Sequence, residues 1–174
     1  MPSTTYDLFF TGRDDPRNCV IIGEDVKPVY FCFETERNLM ANVRTIVYKG
    51  GKEACAKLDW SPGNHLGGVT FGTRTVPMSQ LVQPTTSNSS TSRARAFVSA
   101  DGRRFEWRRS PDGSGSYDLY AAQNMKIAVF RLCAQATAIG PSHGLLQYTF
   151  TQEVLLMEAL VALCINRWID RYGM

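Results

Sequence analysis

The sequence predicts a mainly β (α+β) domain, a closed antiparallel β-barrel wrapped around one hydrophobic C-terminal helix. Three observations predict it. Up to about residue 150 the chain is a series of short β-branched and aromatic runs separated by turn chemistry. No βαβ alternation and no internal repeat interrupts that series. Then Val154–Ile165 reads VLLMEALVALCI, apolar on every side apart from Glu158. A helix that is apolar all round must be enclosed on all faces, by lipid or by the rest of the protein.

The elements follow in order. Residues 6–11 (YDLFFT) form a first strand, ended by GRDDPRN, a cluster of Gly, Asp, Pro and Asn that favours turns. Residues 19–23 (CVIIG) are continuously apolar, and after EDVK, Pro28 opens PVYFCFETE, rich in aromatic and β-branched residues. VRTIVYK at 43–49 turns at Gly50-Gly51 into ACAKLDW at 54–60, because paired glycines supply the positive φ angles of a tight hairpin. In that second strand Ala54, Ala56, Leu58 and Trp60 share a face, with Lys57 and Asp59 opposite. VTFGTRTVPMSQLV holds one or two further strands, and residues 83–95, opening with QPTTSNSSTS, are expected to be a flexible surface loop. FVSADGRRFEW at 97–107 is a hairpin turning at Asp101-Gly102. YDLYAAQNMKIAVFRL gives two strands bent at Gln123-Asn124, and ATAIGPSHGLLQYTF completes about ten strands. The terminal helix is expected over 151–171, with Thr149 and Gln152 spaced as a capping box.

So many short strands fit a barrel or a sandwich, and the helix favours the barrel. A membrane anchor needs about 20 apolar residues. The run here is 12 residues, contains Glu158, and is followed by Asn166, Arg167, Asp170 and Arg171. Lipid would accommodate Glu158 poorly, whereas in a barrel it can reach the rim or pair with a polar group lining the interior, so no transmembrane span is expected.

At 174 residues the chain suits one domain, 1–174. Its net charge of +3 is too small to imply nucleic acid. Five scattered cysteines, an odd number without a CxxC pair, together with a start lacking a secretory pattern, point to a reducing, intracellular and cytoplasmic setting.

The order TGRDDPRN–CVIIGEDVKPVYFCFET, VRTIVYKGGKEACAKLDW, VTFGTRTVPMSQLV, FVSADGRRFEWRR resembles an uncharacterised family of mushroom-forming fungi, domain of unknown function 6593. The features that carry the likeness are Gly23 with Pro28 and Tyr30, the stretch Phe71 to Met78, the hairpin Asp101 to Trp107, and the apolar helix Val154 to Ile169. They span nearly the whole chain, with a variable insert at 85–92. In plan this family is similar to the tubby C-terminal-like, LURP-one-related and phospholipid scramblase barrels, which implies a closed barrel around a hydrophobic helix. A fold shared with them carries no function.

The strongest candidate for binding is the hairpin region. Arg93, Arg95, Arg103, Arg104, Arg108 and Arg109 face only Asp101 and Glu106 there. Alternation groups Arg103, Phe105, Trp107 and Arg109 on one face, with Arg104, Glu106 and Arg108 on the other. Such a stretch suits an anion, from a lipid headgroup or a phosphorylated partner, and equally suits an edge strand whose charges block aggregation. Catalysis has little support. His65 and His143 sit in expected loops, and a pairing of His143 with Cys133 is not demanded by any spacing. Asp14, Asp15 and Asp112 read as turn residues, and neither metal nor cofactor is expected. The sequence thus points to an intracellular binding module at anionic phospholipid or a phosphorylated protein. The competing expectations are a protein-interaction scaffold without lipid affinity and, behind it, a small-ligand carrier or enzyme.

Overall fold

The computed structural model describes residues 4–23, 30–37, 42–50, 53–85 and 93–172, without the side chains of Tyr30 and Arg93. The strands are β1 (Tyr6–Thr11), β2 (Cys19–Gly23), β3 (Tyr30–Arg37), β4 (Val43–Lys49), β5 (Glu53–Ser61), β6 (His65–Phe71) and β7 (Arg74–Pro77). A 3-10 turn (Met78–Leu81) leads to β8 (Gln83–Pro84), β9 (Arg93–Val98), β10 (Arg104–Arg109) and β11 (Tyr117–Ala121). A second 3-10 turn (Ala122–Asn124) precedes β12 (Met125–Thr137) and β13 (Gly140–Tyr148), and the chain ends in α1 (Glu153–Tyr172). All thirteen strands among the described residues join one sheet in the order β7-β6-β5-β4-β3-β2-β1-β13-β12-β11-β10-β9-β8, with antiparallel neighbours throughout.

The helix is enclosed by this sheet. Every residue from Leu155 to Ile169 is buried except Met157, which is half-buried. Its partners come from both halves of the sheet. Trp107 on β10 donates its indole N–H to the Ala159 carbonyl at 3.1 Å, and Trp168 donates to the Asn64 carbonyl beside β6 at 3.1 Å. Trp60 on β5 packs 5.5 Å from Trp168, while Arg167 lies over Phe130 on β12. Each large aliphatic side chain fully buried here contributes about 1.5–3 kcal/mol. No helix among the described residues is long and apolar enough to cross a membrane.

The closed barrel expected from the sequence is not what the hydrogen bonding gives. The sheet stays open between its edge strands, β7 and β8. These edges are consecutive in the chain, separated by the 3-10 turn whose Met78 and Leu81 are buried, together with Val82. Apolar side chains of a short strap thus stand where ladder hydrogen bonds would close a barrel. Hydrogen bonds to Glu158 reinforce the gap, as described below.

Other local expectations also change. In the stretch expected as a loop over 83–95, Gln83 and Pro84 pair with Ala96 and Arg95, so Arg93–Arg95 belong to β9; residues 86–92 lie outside the described residues. A register shift opposite Val47 and Tyr48 leaves Ala54 exposed, although Ala56, Leu58 and Trp60 share the buried face as alternation predicts. The helix starts at Glu153, its first bond running from the Leu156 N–H to the Gln152 carbonyl. Thr149 is therefore too early to cap it, and its hydroxyl bonds the Ile127 carbonyl instead. The EDVK turn and Pro28 lie outside the described residues.

Candidate functional site

The β9–β10 hairpin divides its arginines between two sides of the wall. In register Phe97 opposes Phe105, Arg95 opposes Trp107 and Arg93 opposes Arg109. Phe97, Phe105 and Trp107 are buried, so this set faces the helix. Arg95 follows them inward, donating to Asn166 Oδ1 at 2.9 Å and to Asp170 Oδ1 at 2.9 Å. Arg109 approaches the same Asp170 carboxylate at 3.8 Å, and the Tyr117 hydroxyl donates to it at 2.7 Å. Burial and that carboxylate raise the Tyr117 hydroxyl well above its ordinary pKa. Two of the six candidate arginines are thus taken up in holding the helix C-terminal turn, and the Arg93 side chain lies outside the described residues.

The remaining three look outward onto one cavity. Arg103 precedes β10, in the turn rather than on the strand face with Phe105, and donates Nε to Asp101 Oδ2 at 2.7 Å. Arg104 is exposed and carries no ion pair among the described residues. Arg108 is fixed from several directions. Its guanidinium lies 3.8 Å from the Tyr120 ring centroid, with bonds of 2.6 Å to Glu106 Oε1 and 2.7 Å to Asn124 Oδ1. These residues wall a cleft of about 820 Å³, completed by the β11–β12 corner, by Thr149–Gln152 leading into α1 and by Leu155 in its first turn. The corner is shaped by a register shift between Leu119 and Tyr120 and by positive φ at Gln123 (61°) and Asn124 (56°).

Of the three arginines lining the cleft, Arg108 meets Glu106 and Arg103 meets Asp101, which leaves Arg104 without an ion pair among the described residues. The first N–H groups of a helix have no intrahelical partner and present partial positive charge. Glu153 lies in that first turn and is engaged by Lys49 at 2.8 Å. The sequence flagged the arginines and the Gln123-Asn124 bend. It carried no signal that the helix start would lie beside them, a juxtaposition of residues some 40 positions apart.

Two further polar sites serve the fold. Glu158 is fully buried, accepting from the Ser99 hydroxyl at 2.7 Å, from the Ala100 N–H at 3.4 Å and from Arg74 Nη2 at 3.0 Å. Arg74 opens edge strand β7, and Ser99 follows β9, so one helix carboxylate bridges the open seam. Near the other end of the helix, Asp14 accepts from Arg167 at 2.5 Å and pairs with Arg171 at 2.9 Å. Asp14 is thus more than a turn residue, unlike Asp15 and Asp112, which bond N–H groups of their own turns.

His65 and His143 are not in loops, since they lie in β6 and β13. His143 faces the Gly12 carbonyl at 3.1 Å from Nδ1 and Asp14 at 4.0 Å from Nε2, with no triad around it among the described residues. Burial, then the Arg167 charge, holds its pKa below the ordinary 6.5. Burial pushes Asp14 upward, but the Arg171 hydrogen bond and the Arg167 and Arg171 charges outweigh it and hold the carboxyl below 3.8. Both depressed values act in the same direction. The unfolded chain takes up these protons first, so stability is lost as pH falls, for His143 below about 6.5 and for Asp14 below about 4. Urea midpoints measured against pH should therefore fall less steeply between about pH 7 and 5 in His143→Gln than in the parent. An unchanged slope would remove His143 as its source.

Burial raises the Cys19 thiol to about 12 and the Cys164 thiol also far up, as for buried apolar residues rather than nucleophiles. Among the described residues no three His, Cys, Asp or Glu gather in a metal-binding group. A family model described as a family of unknown function (DUF6593) matches residues 14–162. No curated protein and no solved structure matches the chain.

Proposed function

This chain belongs to the DUF6593 family of unknown function, and from that premise we propose that it is an intracellular binding module for an anionic group, taken up in the cleft beside its arginine-rich hairpin. The observation that carries this reading is the grouping of Arg103, Arg104 and Arg108 along one cavity of about 820 Å³ that also meets the start of α1. That size is within the range of ligand sites. A protective role for edge charges explains the arginines less well, because β10 is paired on both sides, by β9 and β11. Anionic phospholipid headgroups at a membrane surface are the source we favour. Five free cysteines support a cytoplasmic setting.

We also read the curled sheet, its strap and the enclosed helix as a barrel of the tubby C-terminal-like plan. What supports this is the adjacency of the two edge strands in the chain and the burial of the helix on all faces.

Sedimentation with phosphatidylcholine vesicles, with and without phosphatidylserine, tests the function. Binding is expected only to the anionic vesicles and should weaken steeply with salt. Arg104→Ala should weaken it about fivefold with an unchanged melting temperature, since one surface arginine contributes about 1 kcal/mol. Arg95→Ala should instead lower the melting temperature, because its partners are Asn166 and Asp170. Indifference to anionic vesicles at low salt would rule out the lipid source, and a protein captured in its place would favour the scaffold alternative.

A further inference from the structure

The cleft has two chemically distinct halves. One is cationic, formed by Arg103, Arg104 and Arg108. The other is apolar, formed by Met125, Ile127, Phe150 and Leu155. Met125 and Ile127 are two apart on β12 and so share a face. Phe150 and Leu155 come from the chain entering and opening α1. Leu155 is buried against the helix core, Ile127 and Phe150 are half-buried, and Met125 is 59% exposed. A headgroup alone would occupy the arginine side and leave Met125 and the open parts of Ile127 and Phe150 in water. Water on such a surface is displaced favourably by any hydrocarbon attached to the anion.

Resting on the binding function proposed above, we infer that the ligand is an anionic amphiphile, with a phosphate or carboxylate head against Arg104 and Arg108 and an aliphatic chain along Met125, Ile127, Phe150 and Leu155. The Tyr120 stack and the bonds to Glu106 and Asn124 hold the Arg108 guanidinium in place before binding. Arg104, free of any ion pair among the described residues, gives up none to meet the head.

Titration calorimetry with inorganic phosphate, octyl phosphate below its micelle concentration, and octanol separates the two parts. Each methylene buried should tighten binding by about fourfold. A tail with only half its length covered should therefore favour octyl phosphate over inorganic phosphate by about 100-fold or more. Met125→Ser, a neutral change at an exposed position, should reduce octyl phosphate affinity about tenfold and leave inorganic phosphate binding unchanged. Arg104→Ala should weaken both. Octyl phosphate binding no tighter than inorganic phosphate would overturn the amphiphile and leave the anion site standing. Binding of neither, or octanol binding as tightly as octyl phosphate, would overturn the anion site as well.

Discussion

Val161→Asp is expected to abolish folding. Val161 is fully buried, midway along α1, and the residues on either side of it, Leu160 and Ala162, are buried too. The nearest cationic groups on the helix, Arg167 and Arg171, are already engaged by Asp14. An unpaired buried charge costs several kcal/mol, against a total stability of about 5–15 kcal/mol for a domain. The expected result is loss of the cooperative thermal transition and of the near-ultraviolet dichroism of the buried Trp60, Trp107 and Trp168. Val154→Asp is the control. It lies on the same helix but is 52% exposed, so its effect should stay within about 0.5 kcal/mol. A Val161→Asp protein that stayed folded and only became more soluble would mean that the sheet does not enclose the helix.

The second large effect concerns the seam. Arg74→Ala removes the only cation paired with the fully buried Glu158 among the described residues. Removing one partner of a buried pair costs about 3–5 kcal/mol, most of it the price of the charge left behind. Arg74 itself is 40% exposed, which places the loss at the lower end of that range. Glu158→Gln should cost less, about 1–2 kcal/mol, since the amide oxygen can still accept from Ser99 and Arg74 can turn to water. The double variant should then be more stable than Arg74→Ala alone, because no charge remains buried. Denaturant unfolding of all four proteins gives the coupling directly. Simple additivity would show that Arg74 and the Glu158 carboxylate do not act as a pair across the seam.

The two expectations differ in how much of them could be read from residue order. That α1 needs enclosure is visible in VLLMEALVALCI, because a helix has no face left over once every position is apolar. The hairpins at Asp101-Gly102 and Gln123-Asn124 are visible for a similar reason, since turn residues act on the backbone next to them. The seam is not visible. Pro77 in β7 and Pro84 in β8 have no N–H to donate and so suit edge strands, but whether two edges meet depends on how the whole sheet curls. The histidines mislead likewise, because glycine neighbours suggest loops although Gly67, Gly68 and Gly144 lie within strands.

The arginines show the same division at the candidate site. Their density between 93 and 109 is plain in the sequence, and alternation separates Arg108 from Trp107. That Arg95 and Arg109 would meet Asp170, while Arg104 and Arg108 would look onto a cleft with Phe150 and Leu155, required strands and helix from distant parts of the chain to be brought together.

By itself the sequence determined a β-rich chain, its principal turns and a C-terminal helix that had to be surrounded, since these follow from periodicity and local backbone preference. Only the tertiary structure decided that the wall stays open at one seam, that Glu158 and the strap Met78–Leu81 bridge it, and which three arginines line a cleft. The physical reason is range. Turn chemistry and amphipathicity act over a few residues, whereas desolvated Glu158, Asp170 and Asp14 find partners up to 157 positions away.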